Sequence, residues 1–186
     1  MKVLIGCERS GVVRNAFRAL GHDAWSCDIL PSDDNSVYHY QCNVIDIIES
    51  QEWDLAIFHP PCTDICVSGA RWFKEKIADG RQDKALEFVR ALMDAPIHKI
   101  AIENPVSVIS SKIRQPDQTI QPWQFGHGEV KKTCLWLKNL PLLRSTNIVA
   151  GRIPRIHYMK PSKNRSIERS LTYTGIAQAM AEQWGI

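Results

Sequence analysis

Residues 3–28 read VLIGCERSGVVRNAFRALGHDAWSCD, and their pattern decides the fold. Val3, Leu4 and Ile5 form a short apolar run that stops at Gly6. After Cys7, Glu8 and Arg9, the pair Ser10-Gly11 opens a segment with Val12, Val13, Ala16, Phe17 and Leu20 on one helical face. Gly21 ends that helix, and Asp23 to Cys27 resume an extended pattern that stops at Asp28. The reading is strand, turn, helix, strand.

The same alternation continues outward. Val37 to Gln41 predict a third strand, 44–50 a helical turn, and Leu55 to Phe58 a strand buried on both faces that ends at His59-Pro60-Pro61. Residues 81–93 carry Ala85, Leu86, Phe88, Val89, Leu92 and Met93 at helical spacing, and Lys99 to Ile102 make a fifth strand before Glu103-Asn104-Pro105. Such βαβ units build an α/β fold with a mostly parallel sheet and helices on both faces, and ligands lie beyond the carboxyl ends of the strands. The last third is less regular. Residues 114–130 read as loop, Thr133 to Leu137 as a strand, 151–170 as non-helical because of Pro154 and Pro161, and 175–184 as a closing helix. One domain is expected over 1–186, with 1–113 as the cofactor and nucleophile half and 114–186 as a carboxyl half.

Composition excludes several classes. Of 186 residues, 44% are hydrophobic and 23% charged, which is ordinary globular usage and rules out disordered or collagen-like chains. No apolar run approaches the roughly 20 residues of a membrane span, and the first residues lack a secretory signal, so a cytoplasmic location is expected. The six cysteines contain no CxxC pair, so reduced thiols and no metal site are expected. Residues 1–60 hold 4 Lys/Arg against 9 Asp/Glu, net −5, while the remainder holds 19 against 11, net +8. The acidic part suits a polar or cationic small ligand and the basic part a polyanion such as nucleic acid.

The first turn, Gly6 to Gly11, has neither a Lys-Ser/Thr ending nor GxGxxG, which disfavours phosphate. Glu8 would repel a pyrophosphate but can pair with an ammonium, and Asp28 is placed for ribose hydroxyls. A nucleoside with an amino group and no phosphate describes S-adenosylmethionine. In His59-Pro60-Pro61-Cys62-Thr63, two prolines fix the backbone directly after a buried strand and project Cys62 over the sheet edge, where a nucleophile belongs. The other five cysteines read as inert. Glu103 closes the neighbouring strand, so a thiol and a carboxyl on adjacent strand ends can act together on a pyrimidine, one at carbon and one at ring nitrogen.

These motifs resemble the cytosine-C5 DNA methyltransferases, in particular the short forms encoded by bacteriophages and prophages. CERSGVVRNAF is similar to their cofactor turn, HPPCT to the Pro-Cys nucleophile motif and IENP to the Glu-Asn motif. PWQFGHGEVKKTCLWLKNLP and GIAQAMAEQWG resemble the phage-type carboxyl half. The resemblance implies a Rossmann-like methyltransferase fold, S-adenosylmethionine as cofactor and a flipped cytosine in DNA. It assigns Cys62 to attack C6 and Glu103 to the N3 and N4 edge. Asp28 would hold the ribose, Asn43 and Val44 the adenine, and Gly6, Glu8, Arg9, Gly11 and Pro60 the rest of the cofactor site. The Gln-x-Arg-x-Arg motif of the larger enzymes is missing, and Lys131, Lys132 and Thr133 occupy the comparable region. Too few residues lie between Lys132 and Gly175 to fold a separate target-recognition domain, so none is expected there.

For DNA, Arg71 beside Trp72, Lys131, Lys132, and the basic segment with Arg152, Arg155, Lys163, Arg165 and Arg169 are the expected contacts. His59 and His127 read as hydrogen-bonded structural residues, with shuttling of the C5 proton as the alternative. Two other readings stand beside methyl transfer. One is carboxymethyl transfer from carboxy-S-adenosylmethionine, with Arg9 or Arg14 pairing the added carboxylate; the other is a non-catalytic protein that binds cofactor or DNA. The sequence leaves the monomer or homodimer state and the target context open.

Overall fold

In the computed structural model, which describes residues 1–160, 162 and 165–186, the first third follows the predicted alternation closely. Strand β1 (Lys2–Gly6) leads into α1 (Val12–Ala19), then β2 (Asp23–Asp28), β3 (His39–Gln41), α2 (Val44–Ser50) and β4 (Leu55–Phe58). After a 3-10 turn over Val67–Trp72 come α3 (Phe73–Ala78), α4 (Arg81–Met93), β5 (Lys99–Pro105) and α5 (Ile109–Lys112). The remainder supplies β6 (Gln118–Ile120), a short 3-10 turn, β7 (Thr133–Lys138), α6 (Arg165–Ser170) and α7 (Thr174–Trp184).

One seven-stranded sheet runs in the order β3-β2-β1-β4-β5-β7-β6. The five strands from β3 to β5 are parallel; β7 is antiparallel to both β5 and β6. The chain starts in the middle, winds outward through β2 and β3, then returns to add β4 and β5 on the other side of β1. The switch of direction falls between β1 and β4, where the diverging loops leave a crevice beyond the carboxyl ends.

Alternate residues of the central strands feed two cores. Val3, Ile5, Leu55 and Ile57 pack with Phe17 of α1 and Met180 and Trp184 of α7 on one face. Leu4, Ala56, Phe58, Ile100 and Ile102 pack with Val44 of α2 and with Leu86 and Val89 of α4 on the other. Strands covered on both faces have no polar side to show, which is why they read as near-continuous apolar runs. Trp136 and Trp184 are fully buried and each donates its indole N–H to a backbone carbonyl, of Arg114 at 2.8 Å and Pro141 at 3.0 Å. Truncating either to Ala would cost about 3–5 kcal/mol.

Two expectations are corrected. Residues 114–130 contain β6, a three-residue edge strand whose pairing with β7 overrides its weak local signal. Residues 151–170 contain α6, because Pro154 and Pro161 both precede it instead of interrupting it. Among the described residues, no helix is long and apolar enough to cross a membrane.

Candidate active site at the switch point

A cleft of about 560 Å³ opens over the carboxyl ends of β1, β4 and β5, lined among others by Glu8, Arg9, His59, Cys62, Glu103 and Lys131. Its volume is in the range of small-ligand sites. The β4 end is rigidly held. His59 N–H donates to the Gly6 carbonyl at 2.9 Å, and Asn104 Nδ2 donates to the Pro60 carbonyl at 2.8 Å. The loops that follow are stitched together, since Val67 N–H reaches the Val106 carbonyl at 3.1 Å and Val108 N–H the Ile65 carbonyl at 2.9 Å. Buried Lys76 of α3 donates to the Thr63 carbonyl and pairs with Asp64.

Cys62 lies in this clamped loop, half-buried, and its carbonyl accepts from Cys66 N–H at 2.8 Å. The Cys62 and Cys66 thiols interact, one offering its S–H to the other as a hydrogen bond. That hydrogen bond, then burial, then the charge of Glu103 raise Cys62. Cys66 is lowered to about 5, chiefly by the Cys62 hydrogen bond, with Ser68 Oγ at 3.2 Å from its sulfur. Cys66, read as inert from the sequence, therefore belongs to the environment of Cys62.

Parallel register sets Phe58 beside Ile102, so the next residues, His59 and Glu103, stand abreast. His59 Nδ1 lies 2.7 Å from Glu103 Oε2, and each side chain is only 12% exposed. Burial opposes charge on His59, but the hydrogen bond to Glu103, its charge and that of Glu8 outweigh this and raise the imidazole pKa. Burial also opposes charge on Glu103, yet the His59 hydrogen bond and charge, with Lys131, hold its carboxyl below the usual range. Lys131 is not the exposed cation the sequence suggests. Its ammonium donates to the Leu171 carbonyl at 2.9 Å, and burial lowers its pKa against the opposing influence of Glu103 and Cys62.

At the other end of the cleft, most polar groups are committed to the fold. Glu8 is buried, and its carboxylate accepts from the N–H groups of Val13 at 2.7 Å and Arg14 at 3.2 Å, capping α1. Gly11 has φ +72°, and a Cβ there would lie 2.2 Å from the Arg14 guanidinium. Gly6 packs on Phe58 and Val44 with no space for a Cβ. Arg9 pairs with Asp33, Nε to Oδ1 at 2.8 Å. Arg14 is fully buried, donating to Ser26 Oγ at 2.8 Å and pairing with Asp34, so it is unavailable to a donor pocket. Cys7, at φ +59°, is pushed up to about 12 by burial and then by Asp28. Asp28 Oδ1 accepts from Leu30 N–H at 2.9 Å, Asn43 Oδ1 caps α2 through Ile45 N–H at 3.1 Å, and Val44 is buried. Asp28 ends β2 and Asn43 and Val44 open α2, and none of the three is among the residues that line the cleft.

The expected DNA contacts divide. Lys132 and Arg169 line a second cleft of about 360 Å³ with His157, and Lys131, Ile156 and Arg169 are shared with the first cleft. Arg155 is engaged by Glu129 at 2.9 Å, and Arg152 stacks 3.8 Å over the Trp123 ring. Arg71 sits 5.0 Å from the ring centroid of half-exposed Trp72. Arg165 opens α6, and Lys163 lies outside the described residues. His127 accepts from Gly175 N–H at 3.0 Å and so anchors the start of α7, and it is not among the residues that line the first cleft. Sequence reading missed the His59–Glu103 pair, the Asn104 clamp and Lys76. Only the first had a usable signal, since adjacent parallel strands ending in His59 and Glu103 put those residues side by side.

Strand order, the reversed β7 and the switch-point cleft define an α/β protein of the Rossmann-like methyltransferase fold. Its fold is similar to that of a solved E. coli chain described as a candidate DNA modification methyltransferase encoded within a prophage, with a TM-score of 0.56 and 15% sequence identity. That likeness covers 86% of this chain and 55% of the other, so the chain spans little more than half the length of its neighbour. No protein-family model and no curated protein matches the sequence.

Proposed function

We propose that the protein is a DNA cytosine-C5 methyltransferase that uses S-adenosylmethionine. The observation that carries this reading is the convergence of Cys62 and the His59–Glu103 pair on one cleft at the switch point. Cys62 Sγ, its proton released to solvent, would add to C6 of an extruded cytosine as N3 takes up a proton; ionised Glu103, paired with His59, would accept hydrogen bonds from N3–H and the N4 amino group, so that the resulting enamine carries electron density to C5. C5 would take the methyl carbon as the bond between that carbon and the sulfonium sulfur breaks, leaving a neutral thioether; water would then remove the C5 proton while Sγ departs, which restores the aromatic ring.

The residues at the first turn fit the cofactor. Glu8 presents a buried carboxylate beside the cleft for an ammonium, and Asp28 stands at the β2 end for ribose hydroxyls. When bound, the cofactor supplies an electrophilic methyl group. Methyl is favoured over carboxymethyl because both candidate cations are engaged, Arg9 by Asp33 and Arg14 by Asp34. DNA is favoured over a free nucleotide because the basic second cleft adjoins the catalytic one, offering phosphates a path away from the target base. The ordered thiol and carboxyl pair argues against a non-catalytic binding protein.

Mass spectrometry of nucleosides from DNA co-expressed with the protein tests the reading. It should show 5-methylcytosine, and 5-fluorocytosine DNA should trap the protein covalently. Unmodified DNA together with no trapped complex would overturn the assignment.

A further inference from the structure

We propose that His59 is a positioning residue for Glu103, holding Oε2 so that Oε1 is the oxygen presented to the target ring. The inference rests on the reading of the cleft as a pyrimidine transferase and deepens it. Three observations carry it. First, register and the Nδ1–Oε2 distance of 2.7 Å make the contact a consequence of the sheet itself. Second, the next step along the same two strand ends repeats the device, with Asn104 Nδ2 gripping the Pro60 carbonyl at 2.8 Å. Third, His59 Nε2 is buried with no protein partner among the described residues, so the ring's side-chain hydrogen bond within the protein goes to Glu103. Here the imidazole spends its one bond on the carboxylate.

The charges around the pair set its pH response. Glu103, Glu8 and Lys131 act on His59, while His59 and Lys131 act on Glu103. His59 is raised, so its positive charge persists above the ordinary imidazole range and is lost as pH climbs through the raised value. Glu103 is lowered, so its charge persists below the ordinary carboxylate range and is lost as pH falls through the lowered value. The charged pair therefore spans a window wider than two isolated groups would.

The test has two arms on the full chain. In the first, the His59 Cε1–H resonance is titrated by NMR in wild type and in Glu103→Gln. The midpoint should lie above the ordinary histidine value in wild type and fall in the variant; equal midpoints would overturn the pairing whether or not the protein transfers anything. In the second, transfer to DNA is measured across pH for wild type, His59→Ala and His59→Asn. His59→Ala should lose on the order of 100-fold in kcat with the cofactor KM unchanged, as for a misplaced reacting group. His59→Asn, which keeps a donor but no titration, should recover part of the rate and flatten the alkaline limb. Wild-type rate in a folded His59→Ala protein would overturn the positioning role. A wild type that transfers nothing while its His59 midpoint still responds to Glu103→Gln would refute the proposed function instead.

Discussion

The two ends of the cleft use similar residues in opposite ways. At the β4–β5 end, backbone bonds, Asn104 and Lys76 hold the frame, while Cys62, Glu103 and Lys131 face the cleft interior. At the β1–α1 end, the frame is held by the charged side chains themselves. Glu8 caps a helix, Arg14 fills the interior and Arg9 closes onto Asp33. The difference teaches that charged side chains take on structural work where backbone bonds do not, and Glu8 does so while its residue still lines the cleft. Two prolines and a buried asparagine free the β4–β5 end from that demand. The first turn has glycines at its corners, and side chains must do the structural work.

The contrast can be broken experimentally. Cys62→Ser should bring transfer to background while DNA and cofactor binding persist, because the hydroxyl is nearly isosteric but oxygen is a far weaker nucleophile than sulfur. Single-turnover assays beside binding isotherms measure both, and retained transfer would remove the nucleophile from the β4–β5 end. Arg14→Ala should destabilise the fold by about 3 kcal/mol, since it empties a fully buried site and removes the guanidinium's bonds to Ser26 and Asp34. Denaturant unfolding measures this, and an unchanged midpoint would make Arg14 a site residue after all.

Smaller effects sharpen the comparison. Replacing Lys132 and Arg169 together by Ala should weaken binding equally on unrelated DNA sequences and reduce the slope of log affinity against log salt by up to about 2. A sequence-selective loss would show that the second cleft reads bases. Arg9→Ala should change stability by less than about 1 kcal/mol, because the Arg9–Asp33 pair is a third exposed. It should also leave use of S-adenosylmethionine intact. Competition between methyl and carboxymethyl donors in both proteins checks this, and a wild-type preference for the carboxylated donor that disappears in the variant would restore Arg9 as a donor-site residue.

Much of the architecture was legible because its periodicities are local. The strand boundaries at Leu55–Phe58 and the helix at Arg81–Met93 match the reading from apolar spacing. The candidate site was half legible. Pro-Pro-Cys62 and Glu103-Asn104-Pro105 stand out in one dimension because proline marks fixed backbone. Residues 118–120 carried no such mark, since a three-residue edge strand exists only through its partner β7.

By itself the sequence determined the alternating elements, the two proline-marked strand ends and the placing of Cys62 and Glu103 at those ends, all consequences of side-chain type and spacing along the chain. The tertiary structure alone decided how the charges are spent. Nothing local distinguishes Arg14, buried and paired, from Arg9 at the cleft rim, or an exposed lysine from Lys131 under Leu171. Burial and pairing are properties of what the rest of the chain brings alongside. A charge acquires its role from the dielectric and the partners it meets in the folded state.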